Sequence, residues 1–482
     1  MSDRSLFQSD FPPEEFQARR AKVFDAIGAH AHAVLQGAAP ERGFEIFRQS
    51  NDFYYCCGIE VPQAYLLLSG SDRSAKLYLP HRPEGRSAEG ESLAAEDADL
   101  ICEMAGVDGV FGPEMLAEHL AGASIVYTPH GPAEGPKASR GELMGTNKRV
   151  AADPWDGQPS REDHFIGLLR SRLPGAEIRD LTPVINRMRG LKSPREIALL
   201  REAGRLTALA VAEAMRATKP GMVEHQLGAI AQHIYLANGA RGEGYRAIIA
   251  SGPNTWHGHY FRNNRTMLDG DLVLMDVAPD FHYYTSDIGR MWPVNGVYAP
   301  WQRELYGFMV EYHKLLLGLI RPGKTADEIH AEAAAEMAKV IDRTRFSKPT
   351  FEAAARRTLE FKGHLSHPVG MAGHDVGRYG GDAAAETAEA RLRPQTGKRP
   401  APDTPTDGGG SRPARETPLR PGVVFTVDPQ MWVPEEKLYI RCEDSVVVTD
   451  DGIENLTAAA PLELDDVERA MREEGAYARI TP

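Results

Sequence analysis

Four carboxylates and one imidazole stand at ordered positions in the second half of the chain: Asp276, Asp287, His367, Asp428 and Glu443. Three of them interrupt stretches that otherwise read as buried strand. Asp276 closes the run Leu272, Val273, Leu274, Met275, and Asp428 closes Val423, Val424, Phe425, Thr426, Val427. Glu443 stands just before Val446, Val447 and Val448. A buried carboxylate is costly unless it is paired or binds a cation. Five such ligand-type groups gathered in one place would need about two divalent cations to neutralise them.

The spacing supports one shared cavity. Asp276 and Asp287 are separated as two paired strands joined by a turn would separate them, with both carboxylates on one face. Asp428 and Glu443 repeat the design, with residues 429–438 as connector. Arg441 lies two residues before Glu443, so on a single strand both would point to the same side. A guanidinium there can hold a carboxylate ligand or a substrate carbonyl. His364, His367 and His374 fall in a glycine-rich segment, 363–377, where the backbone can approach a ligand closely. His257 and His259 flank Gly258 further upstream. These histidines have the chemistry for proton transfer and for stabilising an oxyanion.

The elements that must position these groups are also legible. Ser193-Pro194-Arg195-Glu196 is a helix start with a capping box and proline at the first turn. Ile197, Leu200, Gly204, Thr207, Val211 and Met215 continue at helical spacing. Lys219-Pro220-Gly221 ends that helix, and residues 224–238 form the next, with Gly239 as its cap. The arrangement returns about a hundred residues later: a helix over 301–320, a break at Arg321-Pro322-Gly323, and a capped start at Thr325-Ala326-Asp327-Glu328. Each helix pair stands beside strands that carry the acidic groups, as an internal duplication would.

Residues 1–180 read as a separate mixed α/β unit, with a helix over 13–29 and strands near 33–35, 64–68, 76–79 and 124–128. Residues 129–163, rich in glycine, proline and charge, read as loop. Residues 181–482 form the second domain. Within it, residues 380–418 have the composition of an exposed, mobile insertion.

The chain has 482 residues, too many for one ordinary core, with 42% hydrophobic and 26% charged residues. A formal net charge of −13 argues against nucleic acid or an anionic membrane as partner. The 4 cysteines include the adjacent pair Cys56 and Cys57 and no Cys-x-x-Cys, so structural zinc and a disulfide framework are not expected. The first residues lack a signal-peptide apolar core, and no apolar run is long enough to span a membrane. A cytoplasmic enzyme is the expectation.

Taken together, the segments 272–276, Ser286-Asp287-Ile288, Ser366-His367, His374-Asp375-Val376-Gly377 and Arg441-Cys442-Glu443-Asp444 resemble the pita-bread metallopeptidases, the family of methionine aminopeptidase, prolidase and aminopeptidase P. Phe47-Arg48-Gln49-Ser50-Asn51-Asp52-Phe53-Tyr54-Tyr55 is similar to a motif in the N-terminal domain of the aminopeptidase P subgroup. The resemblance implies an α+β chain: an α/β domain followed by a pita-bread catalytic domain with pseudo-two-fold duplication. It implies that Asp276 binds one metal, that Asp287 and Glu443 bridge two, and that His367 and Asp428 complete the second. His259, His374 and Arg441 would serve the substrate and the developing tetrahedral intermediate, and Asp428 would also take part in proton transfer. The expected cations are manganese, and the expected substrate is a peptide with proline in second place, losing its first residue. A homo-oligomer is implied as well. The alternatives are a prolidase-like dipeptidase and a catalytically weakened scaffold protein; five retained ligand-type positions favour an enzyme.

Two positions depart from the family pattern. Asp428 stands where glutamate is usual, shorter by one methylene, and metal–oxygen contacts tolerate little displacement. Gly289 stands where a threonine is usual, so a hydroxyl that could orient Asp287 is missing.

Overall fold

The fold is that of a computed structural model describing residues 6–41, 43, 45–83, 92–377 and 416–477. Its chain divides into two compact units, Met1–Arg189 and Gly190–Pro482. Most of the insertion expected at 380–418 lies outside the described residues. No described helix is long and apolar enough to cross a membrane.

The first unit holds helices α1 (Pro13–Ile27), α2 (Asn51–Cys57), α3 (Ala98–Ala105), α4 (Leu116–His119), α5 (Arg140–Ala152), α6 (Arg161–Arg172) and α7 (Thr182–Gly190). Its strands are β1 (His32–Gln36), β2 (Tyr65–Ser69), β3 (Ser74–Tyr78), β4 (Gly109–Phe111), β5 (Ile125–Thr128) and β6 (Glu177–Asp180). They form one mixed sheet in the order β4-β3-β2-β1-β5-β6. Val34, Leu67, Tyr78 and Val126 supply its buried face, against Phe165 and Leu169 of α6. The strands expected near 33–35, 64–68, 76–79 and 124–128 correspond to β1, β2, β3 and β5, whereas β4 and β6 were not read from the sequence.

Residues 129–163 are not simply loop. They contain α5, capped by Ser139 and Glu142 in a reciprocal box. Sequence periodicity missed this helix because it has almost no buried face: Arg140 is its one buried residue. The unit ends after Arg189 rather than near 180. Arg189 donates to Asp52 and Glu134, each at 2.7 Å, and Arg140 joins the same carboxylates. Asp52 and Arg140 belong to α2 and α5, so a buried ionic cluster ties α2, the segment around Glu134, α5 and the end of α7 together.

The second unit opens with α8 (Pro194–Ala217) and α9 (Glu224–Ala237), then β7 (Ile248–Ser251), β8 (Leu272–Asp276) and β9 (Ile288–Pro293). Helices α10 (Pro300–Leu319), α11 (Ala326–Arg343) and α12 (Pro349–Leu359) follow. The last elements are β10 (Val424–Val427), β11 (Gln430–Val433), β12 (Leu438–Arg441), β13 (Glu443–Val448), β14 (Ile453–Asn455) and α13 (Leu464–Ala470). The sheet order is β10-β13-β9-β8-β7, with β14 on β13, and every pairing is antiparallel. Helix α8 packs on α9 and α10 on α11, the two helix pairs read from the sequence. At Gly204 of α8 a Cβ would overlap the Leu456 carbonyl, so glycine there allows the helix to reach the strand end.

One expected connector has structure of its own. Residues 429–438 are not a plain link, because β11 and β12 pair there as a separate two-stranded hairpin. Arg441 therefore closes β12 while Glu443 opens β13, with Cys442 between them, and the two do not share one strand.

Candidate metal and peptide site

Register explains why the acidic groups meet. Asp276 pairs with Gly289 across β8 and β9, and Gly289 pairs with Glu443 across β9 and β13. Residues opposite one another in antiparallel strands share a face, and so do residues two apart along a strand. Asp276, Asp287, Gly289 and Glu443 therefore line one side of the sheet. Asp428 follows the end of β10, which pairs with β13.

His367 arrives from the segment between α12 and β10. Thr426 donates its backbone N–H to the His367 carbonyl at 3.0 Å, and Val369 donates to Val424 at 3.1 Å, which lays this segment along β10. His367 Nε2 is 3.5 Å from Asp287 Oδ2 and 3.9 Å from Glu443 Oε1. One ligand atom from each of these three residues lies within 4.8 Å of the others. Asp276 and Asp428 join through Arg441, whose Nη1 is 2.8 Å from Asp276 Oδ2 and whose Nε is 3.1 Å from Asp428 Oδ1. The same guanidinium also donates to Glu443. All five expected ligands thus belong to one contact network, with Arg441 at its centre.

The electrostatics suit a cation. Burial raises the pKa of Asp287, and the charge of Asp276 raises it further. Burial likewise raises Glu443, against the pull of Arg441, with Asp287 and Asp428 adding to the rise. Asp428 is raised by burial although Arg441 and Gln430 oppose it. Glu443 Oε1 is buried with no hydrogen-bond donor among the described residues. Burial lowers the pKa of His367, and His374 lowers it further, which favours the neutral imidazole that ligates metal. Crowded carboxylates, an unsatisfied buried oxygen and a neutral imidazole form a donor set that fits hard divalent cations.

His374 and His259 are placed differently. The His374 ring stacks on His367 with centroids 3.8 Å apart, and His374 is exposed. His259 is on an exposed loop, its ring stacked with Phe261. That loop is held at both ends by the buried Glu224, which accepts from Ser251 N at 2.7 Å and from Arg265 N at 2.9 Å. His257 stacks with Tyr260 on the same loop.

One residue at the site was missed from the sequence. The Tyr245 hydroxyl is 2.6 Å from both Asp276 Oδ1 and Asp287 Oδ1. It precedes β7 and carries no periodic signal; the glycine beside it, Gly244, was the available hint. Burial, followed by the charges of Asp276 and Asp287, raises its pKa well above that of an ordinary phenol, so it stays protonated as a donor.

A crowded acidic cluster with one imidazole on an antiparallel sheet fits a metal-dependent hydrolase, and the chain belongs to metallopeptidase family M24, which it matches over residues 198–450. Residues 16–127 match the aminopeptidase P N-terminal domain. The chain is 31% identical to the Xaa-Pro aminopeptidase of Escherichia coli, over 96% of this chain and 98% of that one. It is 29% identical to Xaa-Pro aminopeptidase 3 of Mus musculus, covering 88% of this chain and 76% of the relative. Among solved structures, Escherichia coli aminopeptidase P with the inhibitor Pro-Leu superposes with a TM-score of 0.72 at 29% identity, covering 96% and 99% of the two chains. A zinc-substituted form of that enzyme, in complex with product, gives a TM-score of 0.69 at 28% identity. The family and fold expected from the sequence are those found.

Proposed function

We propose that this chain is an Xaa-Pro aminopeptidase that uses two divalent cations, with manganese the metal of choice. The observation that carries the reading is the convergence of Asp276, Asp287, His367, Asp428 and Glu443 on one face of an M24 sheet. Asp276 would hold one cation, Asp287 and Glu443 would contact both, and His367 with Asp428 would hold the second. The cations would supply Lewis acidity, lowering the pKa of a water and polarising the peptide carbonyl. Oxygen donors with a single imidazole agree with manganese.

The chain's own groups do the rest. Tyr245 fixes the orientation of Asp276 and Asp287 through its hydroxyl. Asp428, oriented by Gln430 Nε2 at 2.6 Å and by Arg441, would accept the proton of the attacking water. His374 and His259 present imidazoles on the solvent side, where the peptide enters, and donate to the carbonyl oxygen as charge develops on it. Arg441 balances the negative charge of the cluster.

The test is cleavage of an Xaa-Pro-Yaa tripeptide by protein stripped of metal and refilled with manganese, beside the Xaa-Pro dipeptide. Manganese-dependent release of the first residue from the tripeptide is expected. Cleavage of the dipeptide alone would replace this reading with a dipeptidase.

A further inference from the structure

Lys192 lies in the segment that leads into α8, far in sequence from the candidate site, yet its ammonium is buried. Its side chain is 1% exposed, as is that of Asp375, and Lys192 Nζ lies 3.2 Å from Asp375 Oδ2. Asp375 follows His374 directly. Among the described residues Lys192 Nζ has no other ion partner and no hydrogen bond. A buried charge is costly unless its partner stays in place, so the pair constrains wherever Asp375 sits.

The packing around the pair is built for it. A Cβ on Gly370 would overlap Asp375 Oδ2 and would stand 2.9 Å from Lys192 Cε, so only glycine admits the two charged groups. The Gly370 carbonyl in turn accepts from Thr285 N at 2.9 Å, two residues before Asp287. Asp375 N donates to the Pro368 carbonyl at 2.9 Å, closing the turn over residues 368–375. Lys192 N donates to the Gly422 carbonyl at 2.9 Å, beside the start of β10. The pair thus sits where the His374 turn, the connector before Asp287 and the entry to β10 come together.

We propose that Lys192 is a positioning residue for the peptidase reaction: through Asp375 it holds the turn that stacks His374 on His367. It does not touch substrate or cation. The inference rests on the aminopeptidase reading for its kinetic consequence, but its structural half can be read without substrate.

The experiment uses the full chain with Lys192→Met, Asp375→Asn and the double variant. Metal content, kcat and KM on the tripeptide, and the imidazole NMR signal of His374 (assigned by its loss in His374→Gln) are measured. Lys192→Met is expected to keep its metal and to lower kcat by about tenfold or more, with little change in KM, because small displacements of a catalytic group cost rate. The His374 signal shifts in the same variant. The double variant is slowed by less than the product of the two single losses, because the Lys192–Asp375 contact is common to both. Unchanged kcat with an unchanged His374 signal overturns the proposal, and so do single losses that multiply in the double variant. Should Lys192→Met not fold, the near-isosteric Asp375→Asn takes its place: a fall in kcat with a shifted His374 signal supports the proposal, and no change in either overturns it. Should the wild type cleave no Xaa-Pro peptide, the aminopeptidase reading fails, and the His374 signal alone decides the positioning role.

Discussion

Asp444 accepts a 2.7 Å hydrogen bond from Arg290 on the face of β13 opposite to Glu443. The same carboxylate is 2.7 Å from His313 Nε2 and accepts from the Thr457 hydroxyl at 2.5 Å. Arg290 also donates to the Glu443 backbone carbonyl. Burial alone would raise the Asp444 pKa; Arg290 and His313 instead hold it well below the carboxylate range. Neighbouring acids on one strand thus have different surroundings: Glu443 lies among carboxylates that Arg441 partly offsets, Asp444 among Arg290, His313 and a hydroxyl donor. Replacing Asp444 by alanine leaves Arg290 buried and uncompensated, at a cost of about 3–5 kcal/mol. Urea unfolding of Asp444→Ala measures this directly, and a loss below about 1 kcal/mol would mean the network is dispensable.

Tyr245→Phe removes one hydroxyl and little volume. Asp276 and Asp287 then lose the donor that fixes them both. Manganese affinity, read by isothermal titration calorimetry, should fall about 10–100-fold, as for other groups that orient metal ligands. Wild-type affinity in this variant would show that Asp276 and Asp287 are held by the fold alone.

Asp428→Asn tests whether the shorter acid is a ligand. The amide still accepts from Arg441 but no longer offers an anionic oxygen. Bound manganese should drop from about two to about one per chain by elemental analysis. An unchanged metal count would assign Asp428 to Arg441 rather than to a cation.

Glu134 gives the first unit an acid-sensitive element. Burial would raise its carboxyl, but Arg189 and Arg140 more than reverse this and hold it at about 2, against an ordinary value of 4.5. A carboxyl depressed in the folded state contributes stability that is complete above its unfolded pKa. That contribution, about 3 kcal/mol, is lost as pH falls from the unfolded value towards the folded one. Wild-type stability should therefore decline between about pH 5 and pH 3 more steeply than that of Glu134→Gln. Parallel pH profiles would show that the depressed carboxyl contributes no pH dependence.

Much of this architecture could be read from the chain itself. Asp276 and Asp428 announce themselves by ending apolar strands, and Ser193 with Glu196 marks the start of α8 by its capping chemistry. His367 stood out for its glycine-rich surroundings. Other features were hidden for physical reasons. Helix α5 has no buried stripe, so hydrophobic periodicity could not reveal it, although its Ser139–Glu142 box was present. Tyr245 and Lys192 act through distant partners, Asp276 and Asp375, and a contact between residues far apart in sequence leaves no local pattern. The β11–β12 hairpin was obscured because its register, Gln430 opposite Arg441, depends on tertiary pairing.

Gly289 sits between Asp276 on one side and Glu443 on the other, where the three central strands meet. A Cβ there would lie 3.0 Å from Arg441 Nε, 3.1 Å from Glu443 Oε2 and 3.3 Å from Glu443 Cβ. Even a single methyl would therefore press on the guanidinium and a carboxylate at once. Mutational tolerance at this position is set by crowding rather than by chemistry. A larger residue such as threonine could enter only if the Arg441 and Glu443 side chains each shifted by a few tenths of an ångström.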